Sequence, residues 1–570
     1  MISMQDVKEY VNHYSALVEL ERREEMRRHE DEIKKLSGKK RQEVGRAILE
    51  LKGRDEGLGL GGKYIIKYVQ GGHLPKTEFS IGDLVMISKG DPLRKGNPTG
   101  TVLKKTRYSV HVVFDERPPR FAYGRGLRLD LYVNDVTYQR MLEALSRFGD
   151  SWGRNRVIQE VLLGQRKPRY RDMGVFPGLN EVLDDSQRDA VNKSMNALDL
   201  CLIHGPPGTG KTTTLAESIR QHVLDGFSVL AAAASNIAVD NMVEMLTGKD
   251  LDVVRVGHPA RVTESLRRHT LDYLVLGHES YLMAQEIRQK VSDVDEKQSN
   301  HRFPHQRWRR GLSNEQIKRL SKSGSGSRGV PAVKIREMAD WIEAQEEINS
   351  LLDKARKLEE EAVNDILDKA DVVCTTNSTC GSEILSDYRF DVAVIDEATQ
   401  ATEPSCLIPV LKASKIIMAG DHKQLPPTIL NREAQNQGLA ETMFERLLEL
   451  HGSQVKHMLT LQYRMNEEIM EYPSKAFYGG NLKAAESVRK HRLGVKVEAG
   501  GLIARALDPS APTVFIDTDG ECVEESRRGS TSKENPGERR IVNQLVEKLL
   551  ELKVKPSDMG VITPYDDQVR

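Results

Sequence analysis

The octapeptide GPPGTGKT at Gly205–Thr212 follows an apolar run, Leu200–Ile203, and precedes a stretch that sets Leu215, Ile219 and Val223 on one helical face. That strand–loop–helix context is what a phosphate-binding loop requires. Small residues let backbone N–H groups curl around phosphate oxygens, and the helix N-terminus adds a favourable dipole. The nucleotide-binding set is Gly205, Pro206, Pro207, Gly208, Thr209 and Gly210, then Lys211, Thr212 and Thr213. Lys211 is placed to reach the β- and γ-phosphates of a nucleoside triphosphate, and Thr212 to hold Mg²⁺.

Hydrolysis also needs a carboxylate for the metal and another to activate water. VAVIDEATQ supplies both: an apolar strand carries Asp396 and Glu397 at its C-terminal end, where α/β sheets bind ligands, about 185 residues after the loop. Asp396 is the expected metal partner and Glu397 the expected general base. A further strand, KIIMAGD, leads into GDHKQLPPT, where Asp421 and Gln424 are placed to sense the γ-phosphate.

These residues need a scaffold, and the chain is long enough to build one. Its 570 residues contain 84 Lys+Arg, 84 Asp+Glu and 38% hydrophobic residues, enough for real cores, so wholesale disorder is excluded. The longest apolar runs, such as FSVLAAAAS, are too short to cross a membrane as a helix. MISMQDVKEY lacks the pattern of a secretory signal, and the expected location is the cytoplasm. Five scattered cysteines form no CxxC pair and point to buried thiols.

Residues 1–75 read as a charged helical stalk, with Tyr10, Tyr14, Leu17 and Val18 at helical spacing. LSGKKRQ at Leu36–Gln42 mimics a transporter-ATPase signature but precedes the phosphate loop, the wrong order. Residues 76–140 form the next segment. Within it, short β-rich runs between Phe79 and Val136, with Leu127, Leu129, Leu131 and Val133 alternating, suggest a small antiparallel barrel or sheet. Parallel α/β patterning then spans 141–262 and 371–437, with strands expected at Leu200–Ile203, Val229–Ala234, Val372–Cys374, Val392–Ile395 and Ile416–Ala419. A polar, helical insertion fills 263–370. A second α/β region covers 438–570, with strands expected at Met458–Leu461, Thr513–Asp517 and Met559–Thr563 and a helix at Arg539–Leu552.

Within the insertion, His301–Arg336 holds ten Lys or Arg and one Glu, a net charge of +9, with Phe303 and Trp308 interleaved. Basic charge binds phosphates through counterion release and aromatic faces stack on bases. Arg307, Trp308, Arg309 and Arg310 are therefore candidate nucleic-acid contacts. His301 and His305 have a metal-like spacing but no further ligands nearby.

Together with LTLQYRM at Leu459–Met465, these elements resemble those of the superfamily-1 helicases. More narrowly they resemble the 5′→3′ group that contains the nonsense-mediated-decay and immunoglobulin-mu-binding-protein helicases. The resemblance implies RecA-like P-loop lobes with an inserted β-barrel and a helical insertion, and ATP and Mg²⁺ as cofactors. It implies that Gln187 of LDDSQRDAV reads adenine, that Tyr463 stacks on the base, and that Arg464 touches the γ-phosphate, with Gln462 nearby. It also implies strand contacts from Ser235, Asn236 and Asp240 of SNIAVDN and from Thr375, Thr376 and Asn377 of TTNST. The family pattern continues past GVITPYDDQ with a Gly- and Gln-bearing motif and a second arginine, so the second lobe is expected to be incomplete. The expected activity is an ATP-driven motor on single-stranded or tailed duplex DNA or RNA, with 5′→3′ polarity from the resemblance alone. The rival reading is an ATP-gated clamp that holds a strand without unwinding it. A GTPase or transporter ATPase fits poorly, since no NKxD base-reading motif follows the loop.

Overall fold

The computed structural model describes residues 6–569 apart from 59–62, 78, 80–82, 133–134, 151–153, 172–173, 175–181, 258–263, 496, 498–499 and 527–531. It divides into two compact units. One comprises Met1–Leu183, Arg188–Ile203 and Thr212–His457; the other comprises Asp184–Gln187, His204–Lys211 and Met458–Arg570.

The first unit opens with a 29-residue helix, Val7–Lys35, capped by Asp6 and burying Tyr10, Tyr14, Leu17 and Val18. A closed barrel follows, built from β1 (Ala47–Leu58), β2 (Tyr64–Val69), β3 (Leu84–Ser88), β4 (Thr99–Lys105), β5 (Ser109–Phe114) and β6 (Leu127–Leu131). Its strand order is β1-β2-β5-β4-β3-β6. Ile48, Leu51, Ile66, Val85, Val102, Val112 and Leu129 fill the interior. The barrel thus begins at Ala47, inside the segment read from sequence as a stalk through residue 75. The reason is a bulge: the β1–β6 register shifts between Ile48 and Leu51, where Glu50 adopts φ 56°. One extra residue breaks the period-two signal, and the charged run that follows looks like a solvated helix. Leu127, Leu129 and Leu131 lie on β6 as the alternation predicts; Val133 lies outside the described residues. The LSGKKRQ string has a structural use. Ser37 caps a short helix, and Arg41, fully buried, bonds Asp130 at 3.0 Å.

The seven strands of the α/β sheet are β7 (Leu200–His204), β8 (Val229–Ala233), β9 (Val253–Arg255), β10 (Val372–Thr376), β11 (Phe390–Asp396), β12 (Ala413–Gly420) and β13 (Lys456–Met458). Their order is β13-β7-β12-β11-β8-β10-β9. The β12–β11, β11–β8, β8–β10 and β10–β9 pairs are parallel. β7 and β8 are buried along their whole length, as expected where helices cover both faces of a parallel sheet. Register sets Ala233 opposite both Asp396 and Thr376, so three strands end level at one edge.

The insertion is helical, as expected. Glu279–Ser299 packs on the 38-residue helix Ala332–Lys369 through Ala284, Ile287 and Ala355, with Arg288 bridging to Glu359 at 2.7 Å. Leu312, Ile317, Val330, Ile335 and Met338 form its own small core.

In the second unit, β14 (Leu461–Gln462) pairs in parallel with β15 (Lys483–Ala484). The helix expected at Arg539–Leu552 runs from Pro536 to Glu551, capped by Asn535. The strands expected at Thr513–Asp517 and Met559–Thr563 are not formed, and the Met458–Leu461 run is split between the end of β13 and the start of β14. A strand needs neighbours for its N–H and C=O groups. Among the described residues neither run has one, and Phe515 and Ile562 are 89% and 97% exposed. No described helix is long and apolar enough to cross a membrane.

Candidate functional site: a nucleotide-binding loop and an acidic strand end

The loop that begins at Gly205 is shaped by close approach. A Cβ on Gly205 would lie 2.8 Å from Lys211 Cβ. Gly208 and Gly210 adopt φ of 79° and 71°, the left-handed region that favours glycine. A Cβ on Gly208 would also stand 2.6 Å from Arg464 Cβ. Thr209 closes the loop, its Oγ1 donating to the Pro206 carbonyl at 2.7 Å. The helix Lys211–Leu224 starts directly afterwards, so the N–H groups of its first turn have no partners within the helix and suit an anion.

Within the second unit, a polar network surrounds this loop. Gln187 Nε2 donates to the Thr209 carbonyl at 3.0 Å, and Tyr463 N–H donates to the Gly208 carbonyl at 2.8 Å. Asp184 is the hub. Its Oδ1 accepts from Ser186 Oγ at 2.6 Å and from Gln187 N–H at 3.0 Å. Its Oδ2 accepts from the Tyr463 hydroxyl at 2.9 Å. In return Asp184 N–H donates to Gln187 Oε1 at 3.2 Å, a reciprocal capping arrangement. Burial, and then the bond to the Asp184 carboxylate, push the Tyr463 phenol up to about 12. Gln462 is fully buried, and its Oε1 accepts from the N–H groups of Arg464 and Met465 at 2.8 and 2.7 Å, fixing the QYR turn.

Within the first unit, Asp396 ends β11 and is 2% exposed. Thr212 Oγ1 donates to Asp396 Oδ2 at 3.4 Å, joining the start of the loop's helix to the end of the acidic strand. The pair offers hard oxygen donors only, which fits Mg²⁺ and no softer metal. Glu397 adopts φ 51°, uncommon for a residue with a side chain and typical of strained functional positions. Its N–H donates to Asp396 Oδ1 at 2.8 Å, and Gln400 Nε2 donates to its Oε2 at 3.1 Å. The backbone turn and the Gln400 bond together set the direction of the carboxylate. On the neighbouring β12, Gly420 passes so near Thr399 that a Cβ would stand 2.8 Å from its Cγ2. Thr399 Oγ1 accepts from Asp421 N–H at 3.0 Å, and Gln424 donates to Asp421 Oδ2 at 2.9 Å. Gln424 itself is exposed.

The residues expected to touch a strand divide. Ser235 is exposed and caps the helix Asn236–Leu246 by accepting from Ala238 N–H. Asp240 is fully buried and pairs with the equally buried Arg255 at 3.3 Å, while Arg255 also donates to Asn236 Oδ1 at 2.7 Å. Thr375 is buried and bonds the Val256 carbonyl, Thr376 bonds Thr379, and Asn377 is 1% exposed. The side chains of Asp240, Thr375 and Asn377 therefore hold the strand ends in place and are not presented to a polynucleotide. Residues with polar side chains read alike from sequence whether they face solvent or a buried partner.

The basic insertion is also more engaged than its composition suggests. Arg307 is exposed, and Arg309 bonds Asn314. Arg310 adopts φ 43° and exchanges hydrogen bonds with Arg328, each guanidinium reaching the other's carbonyl at 2.7 Å. Trp308 packs against the insertion's core with Arg302, Arg307 and Lys334 within 4.9, 5.6 and 5.5 Å of its ring centroid. Those cations occupy the ring, so Trp308 is not a free stacking platform. Phe303, 58% exposed, is the more accessible aromatic.

The Asp184 hub, Thr399 and Arg255 were not anticipated from sequence. Asp184 alone left a readable trace, the D-x-x-Q spacing to Gln187 at a helix start.

Comparison with known proteins bears on the whole constellation. Residues 182–432 and 439–570 each match a family model described as an AAA domain. Residues 11–126 match the 1B domain of the SMUBP-2/HCS1 helicases, a span that contains nearly all of the barrel. An uncharacterized ATP-dependent helicase of Methanocaldococcus jannaschii is 44% identical over 98% of this chain and 83% of its own length. The DNA-binding protein SMUBP-2 of Mesocricetus auratus is 34% identical over all of this chain, which spans 55% of that relative. A regulator of nonsense transcripts 1 homologue from Neurospora crassa is 30% identical over 90% of this chain and 43% of its own length. A solved arterivirus nonstructural protein 10 (helicase) in complex with DNA is matched over 72% of this chain and 60% of that one, at 10% identity and a TM-score of 0.29, too slight a likeness to define a shared fold. With a match over 98% of the chain to an ATP-dependent helicase and a barrel of the SMUBP-2/HCS1 type, the chain belongs to the superfamily-1 helicases of that group.

Proposed function

We propose that this helicase uses ATP hydrolysis to move along single-stranded DNA or RNA and open duplex ahead of it, with 5′→3′ polarity. The observation that carries the reading is the Thr212–Asp396 contact, with Glu397 held beside it in a strained turn. A phosphate-loop hydroxyl and a strand-end carboxylate meeting in this way is an arrangement for a metal-bound triphosphate. In this reading Thr212 and Asp396 would hold Mg²⁺, which would supply positive charge beside the triphosphate. Lys211 and the first-turn N–H groups take the phosphate oxygens. Glu397 accepts the proton of the attacking water, Arg464 supplies positive charge at the γ-phosphate, and Gln424 senses it. Gln187 and Tyr463 receive the base. Ser235, Asn236, Thr376 and exposed basic groups such as Arg307 offer contacts to the strand.

The test is ATP turnover by the full chain with and without single-stranded DNA and RNA, followed by strand release from duplexes bearing a 5′ or a 3′ tail. Polynucleotide is expected to raise turnover, and the 5′-tailed duplex to be the one opened. Turnover that ignores polynucleotide and survives Lys211→Ala would refute the motor. Tail binding without strand release would instead favour the ATP-gated clamp.

A further inference from the structure

Arg255 ends β9 and is fully buried, as is its partner Asp240. Burial lowers the guanidinium, and the Asp240 carboxylate only partly offsets that. A buried ion pair is seldom needed for stability, since apolar side chains of similar volume often hold a core as well or better. The pair therefore calls for a use beyond packing, and the directions of the guanidinium N–H groups supply one.

The fork spans three segments of the first unit. Nε donates to Asp240 Oδ1 at 3.3 Å, on the buried side of the helix Asn236–Leu246. Nη1 donates to the Val256 carbonyl, which also accepts from Thr375 Oγ1 at 3.0 Å, so one oxygen ties the end of β9 to β10. Nη2 donates to Asn236 Oδ1 at 2.7 Å, at the first residue of the helix. The backbone makes room for the fork: Gly257 adopts φ 94°, and a Cβ there would lie 3.4 Å from Nη1. A lysine ammonium, one nitrogen on a flexible stem, cannot address three acceptors lying in different directions.

The bond to Asn236 decides how that side chain is presented. A guanidinium only donates, so the atom it faces is the amide oxygen, and the amide nitrogen is left to face away from it. Asn236 is half-buried, and among the described residues its Nδ2 has no hydrogen-bond partner and is open to solvent. We infer that Arg255 is a positioning residue for strand binding: it holds the Asn236 amide with its N–H donors outward, where they meet an acceptor oxygen of the bound strand. The inference rests on the proposed function, in which Asn236 contacts the strand.

The test is a double-mutant cycle on the full chain, with Arg255→Lys, Asn236→Ala and the two combined. Each protein is read for affinity toward an oligo(dT) strand at fixed salt and for melting temperature. Arg255→Lys keeps a cation beside Asp240 and loses the hold on Asn236. Each single variant is expected to bind the strand several-fold more weakly. The combined variant is expected to bind no more weakly than Asn236→Ala, because Arg255 has nothing left to position. Any drop in melting temperature from Arg255→Lys is expected in both backgrounds, since the Asp240 pair is present in both. Affinity losses that multiply would show that Arg255 acts on the fold alone and would overturn the inference; so would parent-like binding by Arg255→Lys. Asn236→Asp decides the matter even if Arg255→Lys fails to fold. Its carboxylate still accepts from Arg255, which neutralises it, but it has no N–H to offer. It is expected to melt like the parent and to bind the strand no better than Asn236→Ala, and restored binding overturns the inference. A parent chain that binds no strand would refute the proposed function and this role with it, whereas parent binding with independent losses refutes the role alone.

Discussion

The acidic strand end and the phosphate loop are held by opposite means. Asp396 stands at the end of a strand flanked on both sides, level with Ala233, and is fixed by ladder hydrogen bonds and apolar packing. The loop Gly205–Gly210 has no ladder. Its shape comes from three left-over polar groups: the carbonyls of Thr209, Gly208 and Pro206, satisfied by Gln187, Tyr463 and Thr209 itself. A site carried by packing resists distortion, because moving it breaks a core. One carried by a few hydrogen bonds can be retuned by single substitutions at little expense to the fold. The contrast predicts which measurement each substitution will disturb.

Glu397→Gln gives the largest effect and the cleanest test. The amide keeps the size, and its oxygen can still accept from Gln400, so the strained turn is retained. What disappears is the proton acceptor. Turnover is expected to fall by about 10²–10⁴-fold, the usual worth of a general base, with the melting temperature and nucleotide affinity near those of the parent. A steady-state ATPase assay beside a thermal melt checks both. A fall in stability equal to the fall in rate would show that Glu397 serves the fold.

Glu403→Ala should do the reverse. Glu403 lies seven residues after Asp396, fully buried, and its carboxylate accepts from Tyr10 at 2.6 Å, Tyr14 at 2.9 Å and Arg446 at 2.5 Å. Burial and the adjacent Glu403 carboxylate raise both tyrosine phenols well above their ordinary value. The network ties the N-terminal helix to the helices Glu403–Val410 and Met443–His451. Removing one partner leaves the Arg446 guanidinium buried and without its carboxylate, which costs about 3–5 kcal/mol. Denaturant unfolding should show that loss. Turnover of the fraction that remains folded should stay close to the parent's.

Much of the site was legible in the sequence because its chemistry is local. GPPGTGKT is a loop whose glycines are needed where Gly208 and Gly210 turn left-handed, and VAVIDE places its acids at a strand end by pattern alone. The strands β7, β8, β10, β11 and β12 are short, mostly buried runs bounded by turns, and they fell within a few residues of their expected limits, while the three-residue β9 was not expected. The rest was hidden for identifiable reasons. β1 and β2 were masked by the Glu50 bulge and by charge on the outer face of the barrel. The burial of Asp240 depends on Arg255, and that of Glu403 on Arg446, 43 residues away; no local pattern reports a partner at that distance. Trp308 read as a stacking residue because spacing cannot show that three cations lie against its ring.

Asp184→Ala probes the polar side of the comparison. It removes the reciprocal bonds with Gln187 and the anchor of Tyr463, both near the loop. The capping part of the loss is worth about 1 kcal/mol, so stability should change little. The apparent ATP affinity should fall several-fold, because Gln187 and Tyr463 no longer share a fixed reference. Titration with a fluorescent ATP analogue checks the affinity. A loss of stability as large as that of Glu403→Ala would erase the distinction between the two supports.

The smallest effect separates the ring of Tyr463 from its hydroxyl. Tyr463 is 42% exposed, and its hydroxyl donates to Asp184 at 2.9 Å. An exposed bond of this kind contributes about 0.5–1.5 kcal/mol, and water replaces part of it when it is lost. Tyr463→Phe keeps the aromatic face and the N–H bond to the Gly208 carbonyl, so its ATP affinity should stay within about threefold of the parent. Tyr463→Ala keeps the same backbone bond and removes the face. If the base stacks on this ring, the alanine variant loses a further stacking contribution, and its affinity falls well below that of phenylalanine. Equal affinities for the two variants would mean that the hydroxyl's link to Asp184 is the whole contribution of Tyr463, and that the base lies elsewhere.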